Sequence, residues 1–321
     1  MQQVEFAEIR CSALGFGCAS VMGRVGRRDS LRAMHKAWDE GITLFDTARS
    51  YGYGEAEGLL GEFLAGRRGD ATVVTKFGIL PRAQPRWKTA LKPAVRTALN
   101  LMPQARTMVR RIVGKDLSAG HFDVSAMRSS LEESLRQLRT DYVDVLLMHL
   151  PFEGFATLSD LMEELEAVVR EGKARRVGIS TVPWMLARVP PVLTAVQMPV
   201  SLLGLSEARA ALPECSGRLL MTNQPFGGNR VGQMMEMLSA IATDKTLPAT
   251  LREKLRGDPR ERLAELVFGA IQKEIAPQAI VASMLRLEDL RANIAAMGST
   301  RFTAADIRLV RQHVQHSVRS R

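Results

Sequence analysis

Short apolar runs that close on a polar residue recur along this chain, separated by longer stretches with helical spacing, and this alternation narrows the possible folds most. Strands buried on both faces read as continuous apolar runs, and parallel strands need a helical crossover between them. Runs of this kind fall at 42–46 (ITLFD), 71–76 (ATVVTK), 143–148 (VDVLLM), 174–179 (ARRVGI), 194–198 (TAVQM), 217–222 (GRLLMT) and 278–282 (QAIVA). An earlier run at 10–16 brings the number to eight. Helical patterns at 29–41, 55–66, 125–139, 157–171, 183–190, 259–275 and 287–296 fit between them, with 206–212 as the remaining crossover. The βα order predicts a parallel sheet. A doubly wound sheet would carry a G-x-G-x-x-G turn after its first strand, and none is present. The expected architecture is therefore a (β/α)8 TIM barrel in a single domain, a size that such barrels commonly reach.

In these barrels function gathers at the C-terminal ends of the strands. Asp46, Lys76, His149, Ser180, Gln197 and Gln224 all lie at or just beyond such an end, and Tyr51 follows Asp46 by five residues. A tyrosine beside an ammonium and an imidazole can deliver a proton to a carbonyl oxygen. The free phenol titrates near pH ~10, and a neighbouring Lys76 ammonium is expected to lower that value. Asp46 would hold Lys76 charged, and His149 would grip the substrate oxygen. Each residue also has an ordinary reading: Asp46 as a turn cap, Tyr51 as a surface aromatic, Lys76 as a solvated strand end. His149 follows VDVLLM, a buried-strand run, where a histidine needs a polar partner. The four together outweigh the ordinary readings.

Composition bounds the remaining classes. The hydrophobic share of 46% is enough for a sizeable core across 321 residues, and no low-complexity linker divides the chain. No apolar stretch reaches the ~18 residues of a membrane span, and MQQVEFAEIR lacks the pattern of a signal peptide, so a cytoplasmic location is expected. Cys11, Cys18 and Cys215 form no C-x-x-C pair, which points to reduced thiols. His35, His121, His149, His313 and His316 offer no H-x-H or H-E-x-x-H spacing, so no metal is expected. The net charge of +10 comes largely from one segment: between Phe77 and Lys115 stand Arg82, Arg86, Lys88, Lys92, Arg96, Arg106, Arg110, Arg111 and Lys115, with no acidic residue. An insertion at about 77–124 is expected to act as a lid with a helix of its own. Its cations would attract an anionic substrate. Aromatic content of 5% and the lack of a recognised motif argue against nucleic acid. A basic tail is expected at about 303–321.

DTARSYGYGEAEGLLG, VVTKFG, SLRQLRTDYVDVLLMHLP and RVGIS resemble the aldo-keto reductases, in the same order and with comparable spacing, and the resemblance runs from Leu14 to Met297. It implies a (β/α)8 barrel that reduces aldehydes and ketones with NADPH or NADH. Asp46, Tyr51, Lys76 and His149 match the catalytic set. Gly17 and Cys18 fall in the segment that lines the cofactor end, Ser180 and Gln197 match carboxamide-binding residues, and Thr181 stands where the family has Asn. Asn223, Gln224, Pro225 and Phe226 replace a common Tyr-Ser-Pro-Leu run, so the usual stacking aromatic is missing and Phe226 is its candidate substitute. Gly227 opens a glycine-rich turn suited to a pyrophosphate. Asn293 matches the adenine-contacting residue. Ser283 and Asp289 replace the two basic residues that often hold the 2′-phosphate, with Arg286 as a possible replacement. Family habit points to NADPH, and Asp289 leaves NADH open. Trp87 is placed as a substrate contact. A rival reading is a slow, cofactor-sensing subunit with the same fold.

Overall fold

The computed structural model describes residues 1–23, 25–81, 120–228 and 231–319. Much of the expected 77–124 insertion, with its nine cations and Trp87, lies outside the described residues.

Eight parallel strands close into a barrel: β3 (Leu14–Gly17), β4 (Leu44–Asp46), β5 (Thr72–Phe77), β6 (Val143–His149), β7 (Ala174–Ser180), β8 (Ala195–Pro199), β9 (Leu219–Asn223) and β10 (Ala279–Ala282). β10 pairs with β3 to complete the ring. Helices surround it: α1 (Arg27–Asp39), α2 (Ala56–Phe63), α3 (Val124–Leu138), α4 (Ser159–Arg170), α5 (Leu205–Ala210), α6 (Val231–Thr243), α7 (Ala249–Leu255), α8 (Pro259–Glu274), α9 (Leu287–Ala296) and α10 (Ala304–Arg319). Their ends follow local chemistry. Asp123 caps α3 by accepting the Ala126 N–H at 2.8 Å, and Asp258 caps α8 ahead of Pro259.

Side-chain alternation separates two cores. Leu44, Val74, Val145, Leu147, Ala195, Leu219, Met221, Ala279 and Val281 point into the barrel. The larger cluster lies between strands and helices. Burying one such aliphatic side chain is worth about 1.5–3 kcal/mol, so both cores bear on the strand register. A shift of one residue would turn every inward side chain outward.

The expected strand at 10–16 is two elements. β1 (Gln3–Phe6) and β2 (Ile9–Ser12) form an antiparallel hairpin, and β3 starts only at Leu14. Ser12 makes the break: its hydroxyl donates to the Leu14 carbonyl at 2.7 Å and accepts the Thr43 and Leu44 N–H groups. The hairpin's Ile9 and Cys11 join the inward core, and Arg176 of β7 pairs with Glu8 at 2.9 Å. The N-terminal end of the barrel is thereby stoppered, which leaves the other end as the mouth.

Three other expectations change. The crossover at 183–190 is a 3-10 turn over Pro183–Arg188. α6 and α7 precede α8 where no helix was expected. The segment read as a basic tail forms α10, entered through a Thr303–Asp306 capping pair and burying Ile307, Val310 and Val314 along one stripe. Among the described residues no helix is long and apolar enough to cross a membrane.

Candidate active site

The mouth takes its chemistry from strand alternation. Two residues beyond inward-facing Leu44, Val74, Leu147, Ala195 and Met221 stand Asp46, Lys76, His149, Gln197 and Asn223. Period two therefore puts all five on the inner face, at the C-terminal end of their strands.

Lys76 and Asp46 form the buried centre. Lys76 Nζ donates to Asp46 Oδ1 at 2.5 Å and to the Thr47 carbonyl at 2.9 Å, and the side chains are 0% and 5% exposed. Burial alone would pull the ammonium down, but the Asp46 carboxylate and Tyr51 outweigh it, and Lys76 titrates above the ordinary lysine value. Lys76 stays charged.

Tyr51 arrives from a loop. After β4 the chain makes a 3-10 turn over Tyr51–Gly54 in which Gly52 and Tyr53 take consecutive left-handed conformations, φ 58° and 60°. Gly52 is required there, because a Cβ would lie 2.5 Å from the Val21 carbonyl oxygen. The turn is tied down from below: buried Glu57 pairs with Arg49 at 2.7 Å and accepts the Thr75 hydroxyl at 2.6 Å. Lys76 Nζ sits 5.0 Å from the Tyr51 ring centre, and the His149 ring meets Tyr51 edge-on with centres 5.8 Å apart. Tyr51, Lys76, His149 and Asp46 are thus one cluster.

The expected acidity of Tyr51 is corrected. Burial raises the phenol above its ordinary value; Lys76 pulls it down and Asp46 pushes it up, leaving the net direction upward. Desolvation disfavours the phenolate more than one ammonium, already shared with a carboxylate, can repay. Tyr51 is a protonated phenol throughout the neutral range. His149 moves the other way, down to about 3, through burial and then the Lys76 charge. It is a neutral imidazole whose buried Nδ1 has no partner among the described residues.

A polar chain continues from this centre. Gln197 Nε2 donates to Asp46 Oδ1 at 2.8 Å, while Gln197 Oε1 accepts from Ser180 Oγ at 2.8 Å and Asn223 Nδ2 at 2.9 Å. These primary-amide and hydroxyl groups have the chemistry to hold a carboxamide, and a buried Asn223 Oδ1 remains open. The residues present therefore fit a nicotinamide dinucleotide.

The remaining sequence candidates scatter. Gly17 ends β3 packed closely against β10, where an added Cβ would lie 3.3 Å from the Ala282 carbonyl oxygen. Cys18 is fully buried and burial pushes its thiol well up, which leaves it unreactive. Thr181 is buried, with its hydroxyl on Met185 Sδ at 3.2 Å and its backbone N–H donating to the Gln197 carbonyl at 3.0 Å. Gln224 is exposed, with φ 51°. Phe226 stacks on Phe268 of α8 at 5.7 Å, packing against the core. Gly227 and Gly228 both have positive φ, 66° and 69°. Asn293 is buried on α9, with Nδ2 unpartnered among the described residues. Arg286 is exposed ahead of α9, and Asp289 pairs with Arg260 at 3.1 Å, as does Glu288 at 2.8 Å. Sequence reasoning missed Thr47, Arg49, Glu57 and Arg260. A buried-acid position inside GEAEG was the available signal for Glu57.

The sequence model described as "Aldo/keto reductase family" matches residues 13–208. A "Probable aldo-keto reductase 1" of Glycine max is 25% identical, over 92% of this chain and 79% of its own length. L-galactose dehydrogenase of Arabidopsis thaliana is 31% identical over 57% of this chain, and the match spans about half of that protein, 50%. The solved aldo-keto reductase of Klebsiella pneumoniae in complex with NADPH superimposes with a TM-score of 0.65 at 21% identity, over 97% of this chain and 94% of the other. That likeness concerns the fold.

Proposed function

This chain belongs to the aldo/keto reductase family, and from that premise we propose that it is an NAD(P)H-dependent oxidoreductase that reduces an aldehyde or ketone with Tyr51 as the proton donor. The carrying observation is the charged Lys76, fixed by Asp46 at 2.5 Å and 5.0 Å from the Tyr51 ring. When bound, the dinucleotide supplies hydride from its nicotinamide to the carbonyl carbon.

Everything else falls to this chain's own groups. The neutral phenol of Tyr51 hands its proton to the carbonyl oxygen as charge builds there. Lys76 stabilises the phenolate that results, and water at the mouth returns the proton. Neutral His149 offers an N–H to the same oxygen without adding a competing acid. Asp46 keeps Lys76 charged and aimed, acting through it. Ser180 and Gln197 hold the carboxamide, and Asn293 offers its free N–H to the adenine end.

The substrate is read as a small carbonyl compound with an apolar portion. Tyr53, Leu80, Leu150, Phe152 and Trp184, on the loops after β4, β5, β6 and β7, are 45–65% exposed around the mouth. The cationic 82–115 segment adds a preference for anionic substrates.

Tyr51→Phe tests the reading. Dinucleotide affinity by fluorescence titration should be nearly unchanged, while aldehyde turnover falls by ~10²-fold or more. Unchanged turnover refutes Tyr51 as the acid. Dinucleotide binding by the wild-type chain with no turnover across an aldehyde panel marks the cofactor-sensing alternative.

A further inference from the structure

Asn223 ends β9 on the inner face, where the family pattern carries a ring. The orientation of its amide is dictated by its neighbours. Gln197 must turn Nε2 toward the acceptor-only Asp46 carboxylate, so Oε1 faces Ser180 and Asn223. Asn223 must then present Nδ2 to Gln197, and Oδ1 points away from that bond.

That oxygen is buried and has no donor among the described residues. Gln197 Oε1 already takes two donors, which fills both its lone pairs. Asn223 Oδ1 is therefore the open amide acceptor of this chain of bonds. An unsatisfied buried acceptor is destabilising, and one that persists calls for an explanation such as a ligand that completes it.

We infer that Asn223 Oδ1 accepts an N–H of the nicotinamide carboxamide, so that this chain orients the ring by an amide–amide hydrogen bond where relatives stack an aromatic on it. The inference rests on the dinucleotide reading above. Phe226 leaves the place open, because its ring is committed to Phe268. A primary amide suits the acceptor: its NH₂ supplies the missing donor, and its oxygen can face a hydroxyl or N–H of the same wall.

The test compares two ligands by fluorescence titration: the reduced dinucleotide and its 3-acetylpyridine analogue, in which a methyl ketone replaces the carboxamide and no N–H remains. The wild-type chain should bind the carboxamide form roughly 5- to 30-fold more tightly, the size of one buried hydrogen bond plus an unsatisfied acceptor. Asn223→Leu should bring the ratio close to 1. A side chain that merely holds Gln197 in place would weaken both ligands alike and leave the ratio intact, and that result overturns the inference. Equal affinities in the wild-type chain overturn it as well, even if the leucine variant fails to fold. Binding of neither ligand by the wild-type chain removes the dinucleotide reading itself, a distinguishable failure.

Discussion

Lys76→Met probes the buried charge pair on which the site is built. The substitution leaves the Asp46 carboxylate, 5% exposed, with Gln197 as its only side-chain partner among those described. Breaking a buried ion pair by removing one member costs about 3–5 kcal/mol, since the remaining charge is stranded away from water. Asp46→Asn strands the ammonium instead, with the Thr47 carbonyl still at 2.9 Å, so a loss near the lower end, about 3 kcal/mol, is expected. In the double variant no charge is stranded. Its deficit should be about 2–3 kcal/mol, from lost hydrogen bonds and imperfect fit. With about 3 kcal/mol for each single change, the double-mutant cycle then carries a coupling of about 3 kcal/mol. Urea unfolding at pH 7 followed by tryptophan fluorescence measures each arm. Turnover separates the two roles: the double variant should be no less stable than either single variant and yet remain inactive, because Tyr51 has lost the cation that stabilises its phenolate. Losses that add within about 0.5 kcal/mol would refute the argument, for they would mean that the pair does not interact across a desolvated gap.

His149, held down to about 3 against an ordinary 6.5, should show no imidazole titration by NMR between pH 5 and 8; a midpoint inside that window refutes the neutral assignment. Because its folded value is depressed, its contribution to stability is complete above pH 6.5 and is lost as the pH falls from there toward 3. Gly52→Ala meets both a positive φ of 58° and a backbone oxygen at 2.5 Å, so it should cost roughly 1–3 kcal/mol in thermal or urea unfolding and lower kcat more than dinucleotide affinity. Wild-type stability in that variant would show that the turn is not constrained. Asp289→Arg removes a partner of Arg260 and reverses a charge ahead of the buried Asn293, so the NADPH/NADH affinity ratio should rise roughly tenfold, the scale of one new charge-assisted hydrogen bond. An unchanged ratio would place the 2′-position elsewhere.

The barrel was legible because its strands are buried on both faces. VLLM and LF carry no alternation, and each breaks off at an inward polar residue, His149 and Asp46. The same period of two that hides Leu44 and Val74 brings out Asp46 and Lys76, so the strand-borne part of the site could be read from sequence. What escaped depended on distant partners. Nothing in RCSALGF shows that the Ser12 hydroxyl bonds to Thr43 and Leu44, 31 and 32 residues away, and splits one run into a hairpin arm and a barrel strand. AADIRLVRQHV is rich in cations, and its stripe of Ile307, Val310 and Val314 becomes a helix face only with a surface to cover. Tyr51 is the instructive case. Its place just after the Asp46 strand end implied an attraction to Lys76, and that attraction is present, but position along the chain carries no account of how much water folding removes from a side chain. Desolvation is summed over every atom that closes around the phenol, and here it exceeds the single ion–phenol contact. Lys76 therefore acts less by making Tyr51 acidic beforehand than by receiving the phenolate once the proton has left. A reaction organised in that way should keep its phenol protonated, and its turnover free of a Tyr51 titration, up to at least the ordinary tyrosine value near pH ~10.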